Sequence, residues 1–212
     1  MKVNEIFRSL QGESSYMGLP CTFVRLSGCN LRCSWCDTAY AYYEGEDHSA
    51  EELLKIIEKF NTNLIEFTGG EPLLQKDELI PLIEQLIARE YKILLETNGS
   101  ISLKNIPDEV VKIVDIKLHS SGESDSFLTE NFKILTKKDE IKFVLSDFFD
   151  YNEMKDIIKK NNLETDRSIL VSRVFNSNIS DEEFAEKILS DELNVRYQIQ
   201  LHKLIWGDKK AK

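Results

Sequence analysis

The sequence predicts a single-domain α/β fold of mostly parallel strands, a partial (incomplete) TIM-like barrel, and three observations carry that prediction. Short apolar, β-rich runs alternate with amphipathic helical segments along the chain, the order of a parallel sheet built from strand-helix-strand units. Several of the runs place Ile, Val and Leu on consecutive positions, as expected of strands covered on both faces. The chain has 212 residues, short of the roughly 250 usual for an eightfold barrel. One domain over residues 1–212 is expected, because no internal repeat or low-complexity linker divides it.

Strands are predicted over 21–26, 64–67, 92–96, 111–116, 141–145, 169–173 and 196–201, each a short aliphatic or β-branched run. The first helix starts at Ser49, where Glu52 completes a capping box. Leu53, Ile56, Ile57 and Phe60 then recur at helical spacing. Leu79, Leu82, Ile83, Leu86 and Ile87 make a second apolar stripe, ahead of the strand that runs into Thr97-Asn98-Gly99. Both stripes are read as core. Shorter, charged helices over 150–161 and 181–189 keep enough apolar positions to dock on a sheet.

Composition narrows the function classes. The formal net charge is −10, and the one basic run is a short tail at 209–212, which argues against a nucleic-acid partner and favours small-molecule chemistry. No window approaches about 18 consecutive apolar residues, so no membrane span is expected. The first 13 residues carry polar side chains throughout and lack the apolar core of a secretory signal. A cytoplasmic protein with reduced thiols is expected.

Cys29, Cys33 and Cys36 stand as C-x-x-x-C-x-x-C in the loop 28–38, just beyond the first predicted strand. In parallel α/β folds the carboxyl ends of strands are where ligands gather. Three thiols do not pair evenly into disulfides, and a structural zinc takes four closed ligands. A [4Fe–4S] cluster on three cysteines keeps one iron open to a further ligand. The alternative is a zinc knuckle completed by His48 or Cys21, although Cys21 in its apolar strand reads better as a small buried hydrophobe. Thr68-Gly69-Gly70-Glu71-Pro72 follows the next strand, and a Gly-Gly pair there lets the backbone come close to a ligand.

With Trp35 just before the last cysteine, this pattern resembles the signature of the radical S-adenosylmethionine superfamily. The resemblance implies a modified radical-SAM core and a [4Fe–4S] cluster on Cys29, Cys33 and Cys36. It also implies S-adenosylmethionine chelated to the open iron and cleaved on reduction to a 5′-deoxyadenosyl radical. Cofactor contacts are implied at Trp35, Cys36, Asp37, Gly70 and Lys117. Lys117 stands in Asp115-Ile116-Lys117 where the family usually has Ser-Pro-Lys, so only the lysine is carried over.

The flanks are similar to the 7-carboxy-7-deazaguanine synthase family. They are Phe7-Arg8-Ser9-Leu10-Gln11-Gly12-Glu13, Gly18, Phe23-Val24-Arg25-Leu26, Cys36-Asp37-Thr38, Glu96-Thr97-Asn98-Gly99 and Gln200-Leu201-His202-Lys203. The resemblance extends over nearly the whole chain and is densest over residues 5–40. It implies a carbon-nitrogen lyase that contracts the ring of 6-carboxy-5,6,7,8-tetrahydropterin with loss of ammonia, in the pathway to queuosine and related deazapurines. The implied mechanism removes hydrogen from C6, rearranges the substrate radical and recycles S-adenosylmethionine.

Main-chain groups of Leu10, Gln11 and Gly12, with Glu13, Arg25, Thr68 and His202, are the implied substrate contacts. Thr38 is the implied magnesium ligand, with Asp37 orienting waters or cofactor behind it; magnesium keeps several waters and needs few protein ligands. Arg25 sits in an otherwise apolar strand, where an unpaired guanidinium is costly; it serves a substrate carboxylate or pairs with an internal glutamate. Thr38 otherwise caps the segment after it. Glu96 and Asn98 face the ribose or the substrate rim, or are strand-end caps, and His202 is expected at the end of the last strand. The resemblance further implies a reducing partner such as flavodoxin or ferredoxin and a homodimer. Two other functions fit the cysteines: a glycyl-radical-enzyme activating protein and a zinc-stabilised binding module. Residues 204–212 extend past the point where some relatives end, which leaves open how the site closes on that side.

Overall fold

The computed structural model describes residues 1–163, 168–175, 177–207, 209 and 211. In chain order the elements are β1 (Lys2–Leu10), β2 (Pro20–Leu26), β3 (Glu46–Asp47), α1 (Ala50–Glu58), β4 (Leu64–Gly69), α2 (Lys76–Ile87), β5 (Lys92–Thr97), β6 (Val111–Asp115), β7 (Glu140–Leu145), α3 (Phe148–Lys160), β8 (Ser168–Arg173), α4 (Asp181–Ser190), β9 (Arg196–Tyr197) and α5 (Leu201–Trp206). Among the described residues the strands form one sheet in the order β3-β1-β2-β4-β5-β6-β7-β8-β9. From β2 to β9 every pairing is parallel, while β1 runs antiparallel to β2 and β3. The sheet is open, and the expected partial barrel is what forms.

Each strand divides its side chains between two environments because successive residues point to opposite faces. On the outer face Val24, Ile65, Phe67, Leu95, Val114 and Phe143 join one large core with Leu53, Ile57, Leu79, Leu82 and Leu86 of the helices. Both predicted stripes therefore serve as core. The capping box predicted at Ser49 and Glu52 is present, and Ser180 and Glu183 form a second one at the start of α4. On the inner face a smaller cluster of Cys21, Phe23, Leu64, Leu94, Val111 and Ile113 packs with Phe7 and Tyr16. Cys21 is fully buried there, the small hydrophobe that its strand suggested.

Two departures from the sequence reading concern the chain ends. The N-terminus forms β1, a half-exposed strand held by the sheet ladder and by Phe7 stacked on Phe23 at 5.1 Å. At the other end the strand predicted over 196–201 stops at Tyr197. The Gln198 carboxamide is taken by the Ser14 main chain, accepting from its N–H at 3.0 Å and donating to its carbonyl at 2.8 Å. Leu201 N–H then donates to the Gly12 carbonyl at 2.9 Å as α5 begins. His202 thus lies in the first turn of a helix and not at a strand end.

These contacts bridge the open side of the barrel. The loop after β1 reaches β7 as well, where Ser15 N–H donates to Glu140 Oε1 at 3.1 Å. Among the described residues no helix is long and apolar enough to cross a membrane. Of the expected basic tail, Lys210 and Lys212 lie outside the described residues, as does Asp208 of the extension before it.

Candidate active site

A cavity of about 760 Å³ opens at the carboxyl ends of the parallel strands. Cys29, Cys33 and Cys36 all line it as free, half-buried thiols. Their loop is anchored to the turn after β4: Gly70 N–H donates to the Leu26 carbonyl at 3.2 Å and Glu71 N–H to the Gly28 carbonyl at 2.8 Å. A Cβ on Gly70 would stand 2.1 Å from the Gly28 oxygen and 2.7 Å from Cys29 Cβ. The Gly-Gly pair is therefore required by the approach of the two loops. Glu71, buried beneath, accepts from Leu73 N–H, Thr97 Oγ1 and Asn98 N–H at 2.8–3.0 Å and braces this turn against the end of β5.

Three thiols on one wall suit a thiolate-held iron-sulfur cluster. Among the described residues no three His, Cys, Asp or Glu side chains stand gathered at metal-ligand spacing. Burial pushes the Cys33 thiol up to about 11, with Lys117 acting to lower it; metal binding to such thiols releases protons. Cys21 and His48, the candidate fourth zinc ligands, do not line this cavity.

The adjoining wall suits a polar cofactor. Trp35 Nε1 and Asp115 Oδ1 are buried without a hydrogen-bond partner among the described residues. Lys117 pairs with Asp115 Oδ2 at 2.9 Å and lies 5.1 Å from the centre of the Trp35 ring. An orphaned donor, an orphaned acceptor and an ammonium beside Cys33 form a recess with unmet hydrogen-bonding capacity. Ile116 points into the core, so in Asp115-Ile116-Lys117 the first and third residues face the cavity.

Deeper in, the inner face carries a charge network. Lys142 Nζ pairs with Glu13, with Glu96 at 2.8 Å, and with Asp115 at 3.7 Å. Burial disfavours the charged ammonium, but Glu13, Glu96 and Asp115 outweigh it and hold Lys142 protonated. Burial likewise pushes the Glu96 carboxyl up, yet Lys142 and Lys117 together draw it down to about 2. Glu66 behaves oppositely. Burial, then the nearby Glu96 and Glu13 charges, raise it well above the usual carboxylate range. Its Oε2 accepts from Gln11 Nε2 at 2.5 Å, and Gln11 Oε1 accepts from Glu13 N–H at 2.5 Å.

Sequence reasoning gave Lys142 and Glu66 no role. Their signal was present as single charges inside apolar strands, Ile141-Lys142-Phe143 and Ile65-Glu66-Phe67, at positions whose neighbours along the strand face the core.

The remaining predicted residues converge on the same cavity. Arg25, 17% exposed, gives its Nε to Glu5 at 2.8 Å, the internal pair that the sequence left open. Among the described residues its two terminal nitrogens take no hydrogen-bond partner, and the residue lines the cavity. Thr68 donates to Glu96 at 3.1 Å. Thr38 makes no capping hydrogen bond to the segment after it and donates to Asp37 Oδ1 at 2.7 Å.

Leu10, Gln11 and Glu13 also reach the cavity. The Gln11 N–H and carbonyl are engaged by Leu19 and Gly18 at 2.8 Å. Gly12 does not line the cavity; a Cβ there would meet His202 Nδ1 at 2.2 Å, so it supports the histidine that does. Burial lowers the His202 pKa, against the pull of Glu13. Of the extension, Gly207, Lys209 and Ala211 line the cavity as well.

Comparison with known proteins places this arrangement. The family model of the Radical SAM superfamily matches residues 23–138. The chain is 45% identical to a 7-carboxy-7-deazaguanine synthase of Koribacter versatilis, covering 97% of each chain. It is 37% identical to a 7-carboxy-7-deazaguanine synthase of Thermoplasma acidophilum, covering 98% of each. The crystal structure of QueE from Escherichia coli superposes with a TM-score of 0.76 at 25% identity, covering 95% of this chain and 94% of that one.

Proposed function

This chain belongs to the 7-carboxy-7-deazaguanine synthase family of the radical SAM superfamily, and from that premise we propose that it makes 7-carboxy-7-deazaguanine from 6-carboxy-5,6,7,8-tetrahydropterin with loss of ammonia. The observation that carries this reading is the single cavity in which the cysteine loop, the Arg25 guanidinium and the Glu13–Lys142–Glu96 network meet. When bound, the cluster and S-adenosylmethionine supply one-electron chemistry that removes a hydrogen atom from the substrate.

The chain's own residues bind and enclose. Cys29, Cys33 and Cys36 would hold the cluster, and Gly70, Trp35, Asp37 and Lys117 would border S-adenosylmethionine. Arg25 meets the substrate carboxylate with the nitrogens that Glu5 leaves free, a charge-assisted contact in a desolvated setting. Glu13 accepts from the amino and ring N–H groups of the heterocycle, held in place by Lys142 and by Gln200, which donates to it at 2.6 Å. Thr68, His202 and Leu10 complete the surround, while the Gln11 main chain, engaged by Leu19 and Gly18, holds the loop in place. Gly207 and Lys209 add to the cavity wall, and enclosure of the bound substrate would limit access of water.

Magnesium is part of this proposal. The Thr38 hydroxyl and the Asp37 carboxylate stand together on the cavity wall, and a cation that retains most of its waters needs little more from the protein. A small reducing protein completes the reading, supported by the redox requirement of the chemistry, and a homodimeric assembly and a cytoplasmic setting belong to it as what the family resemblance implies.

The test is turnover. Anaerobically reconstituted protein, reduced and given S-adenosylmethionine and 6-carboxytetrahydropterin, should release 7-carboxy-7-deazaguanine and ammonia, faster with magnesium than without. Product formed without S-adenosylmethionine would overturn the proposal, as would a loaded cluster that cleaves the cofactor yet leaves the pterin intact.

A further inference from the structure

We propose that Glu66 is a positioning residue for the substrate: its carboxyl fixes the Gln11 carboxamide in one orientation and thereby sets the Gln11–Glu13 segment that receives the heterocycle. The geometry is a short chain of hydrogen bonds. Glu66 Oε2 accepts from Gln11 Nε2 at 2.5 Å, and Gln11 Oε1 accepts from Glu13 N–H at 2.5 Å. A flipped carboxamide would set its NH2 against the Glu13 N–H and leave that donor without an acceptor, so one orientation satisfies both ends.

Glu66 is 2% exposed on the inner face of β4, directly across from Phe23 in the β2 register. Among the described residues no donor takes its second oxygen, and the residue lines the cavity. A carboxyl placed in an apolar strand without a cation of its own is expensive, and nothing in the packing of the outer core uses it. What it does touch is the loop that carries Glu13. The Glu13 side chain is in turn fixed by Lys142 and Gln200. Glu66 thus holds the main chain of this segment while Lys142 holds its charge.

The consequence is a division of labour testable by conservative replacement. Glu66→Gln keeps an oxygen at the same reach for Gln11 Nε2 and places an NH2 where the second carboxyl oxygen stood. Glu66→Asp keeps the acid but withdraws it by one methylene and loses the contact. The inference rests on the pterin as the ligand, so binding is read separately from turnover. Anaerobic titration of cluster-loaded protein with 6-carboxytetrahydropterin gives Kd, S-adenosylmethionine Kd reports whether the rest of the cavity is intact, and kcat is measured on the same samples.

Glu66→Gln should bind the pterin within about threefold of the unaltered protein. Glu66→Asp should bind it about tenfold more weakly, the scale of one broken buried hydrogen bond, with S-adenosylmethionine Kd unchanged and KM raised more than kcat falls. Gln11→Leu should weaken binding similarly, and combined with Glu66→Asp should add little further, because both break the same link. Glu66→Asp binding as tightly as the unaltered protein would overturn the inference, and so would Glu66→Gln failing as badly as Glu66→Asp. If the unaltered protein does not bind the pterin at all, the substrate reading is what fails.

Discussion

The two faces of the same strands behave as different materials. On β4, Ile65 and Phe67 point outward into the helices and are fully buried among aliphatic side chains. Glu66 and Thr68, one residue away from each, point inward to a cavity with carboxylates, ammonium groups and a guanidinium. The outer face gains from every apolar atom removed from water. The inner face holds charges out of water, which weakens the fold unless each finds a partner. A backbone that alternates residue by residue can therefore carry stability and chemistry on one strand, and a substitution should betray its face by what it changes.

The largest effect is expected at the mouth of the inner face. Replacing Cys29, Cys33 or Cys36 by Ala should leave protein with the same helical content and melting temperature but no bound iron and sulfide, and product formation should fall below detection. Gly70→Ala should approach the same result by another route, since its Cβ would strike the Gly28 carbonyl and Cys29 Cβ. Iron content and S-adenosylmethionine binding would both be measured. A Gly70→Ala protein that loads a cluster and binds the cofactor normally would show that the two loops are free to separate.

Deep in each face the contrast sharpens. Phe67→Ala empties a fully buried outer site and should lower stability by about 3–5 kcal/mol, seen as an earlier denaturant midpoint, with kcat/KM of the surviving folded protein nearly unchanged. Lys142→Met removes the cation that pairs with both Glu13 and Glu96 and leaves Asp115 to Lys117. Stranded buried carboxylates should destabilise by a similar amount, about 3–5 kcal/mol, but here KM for the pterin should rise as well. If Lys142→Met reduced stability alone, the network would be structural and the inner face would resemble the outer.

The two faces were also unequally legible in the sequence. The outer face is written as periodicity: Leu79, Leu82, Ile83 and Leu86 at helical spacing and Ile/Val runs in the strands predict their own burial, and they are buried. The cysteine loop and the turn at Gly69-Gly70 are local in sequence and so were readable as motifs. Lys142 was not, because its meaning depends on Glu13, Glu96 and Asp115 arriving from three other segments, and no single window contains them. β1 escaped for a different reason. A half-exposed antiparallel strand such as Asn4-Glu5-Ile6-Phe7-Arg8 carries little apolar excess to distinguish it from a loop. The end of the last strand at Tyr197 was likewise set by partners far away, Ser14 and Gly12.

The smallest predicted effect is also the most discriminating, because it concerns one proton on the inner face. Glu66 in the folded protein holds its proton well above the usual range near 4.5, through burial first and then the charges of Glu96 and Glu13, with Lys142 acting the other way. In the unfolded chain the same carboxyl ionises normally, so above that range folding must take up a proton, and the stability of the unaltered protein declines as pH rises. Glu66→Gln abolishes that titration while keeping an acceptor for Gln11. Glu96 has the opposite sign: held at about 2, its contribution is complete above 4.5 and is lost as pH falls toward 2. That contribution is common to both proteins and cancels in their difference. The melting temperature of Glu66→Gln minus that of the unaltered protein should therefore increase as pH rises above about 5, by a few degrees for each pH unit over which Glu66 keeps its proton in the fold. A difference that stayed constant as pH rose would mean that Glu66 is ionised in the fold, and the inner face would then hold a further buried negative charge with no cation paired to it among the described residues.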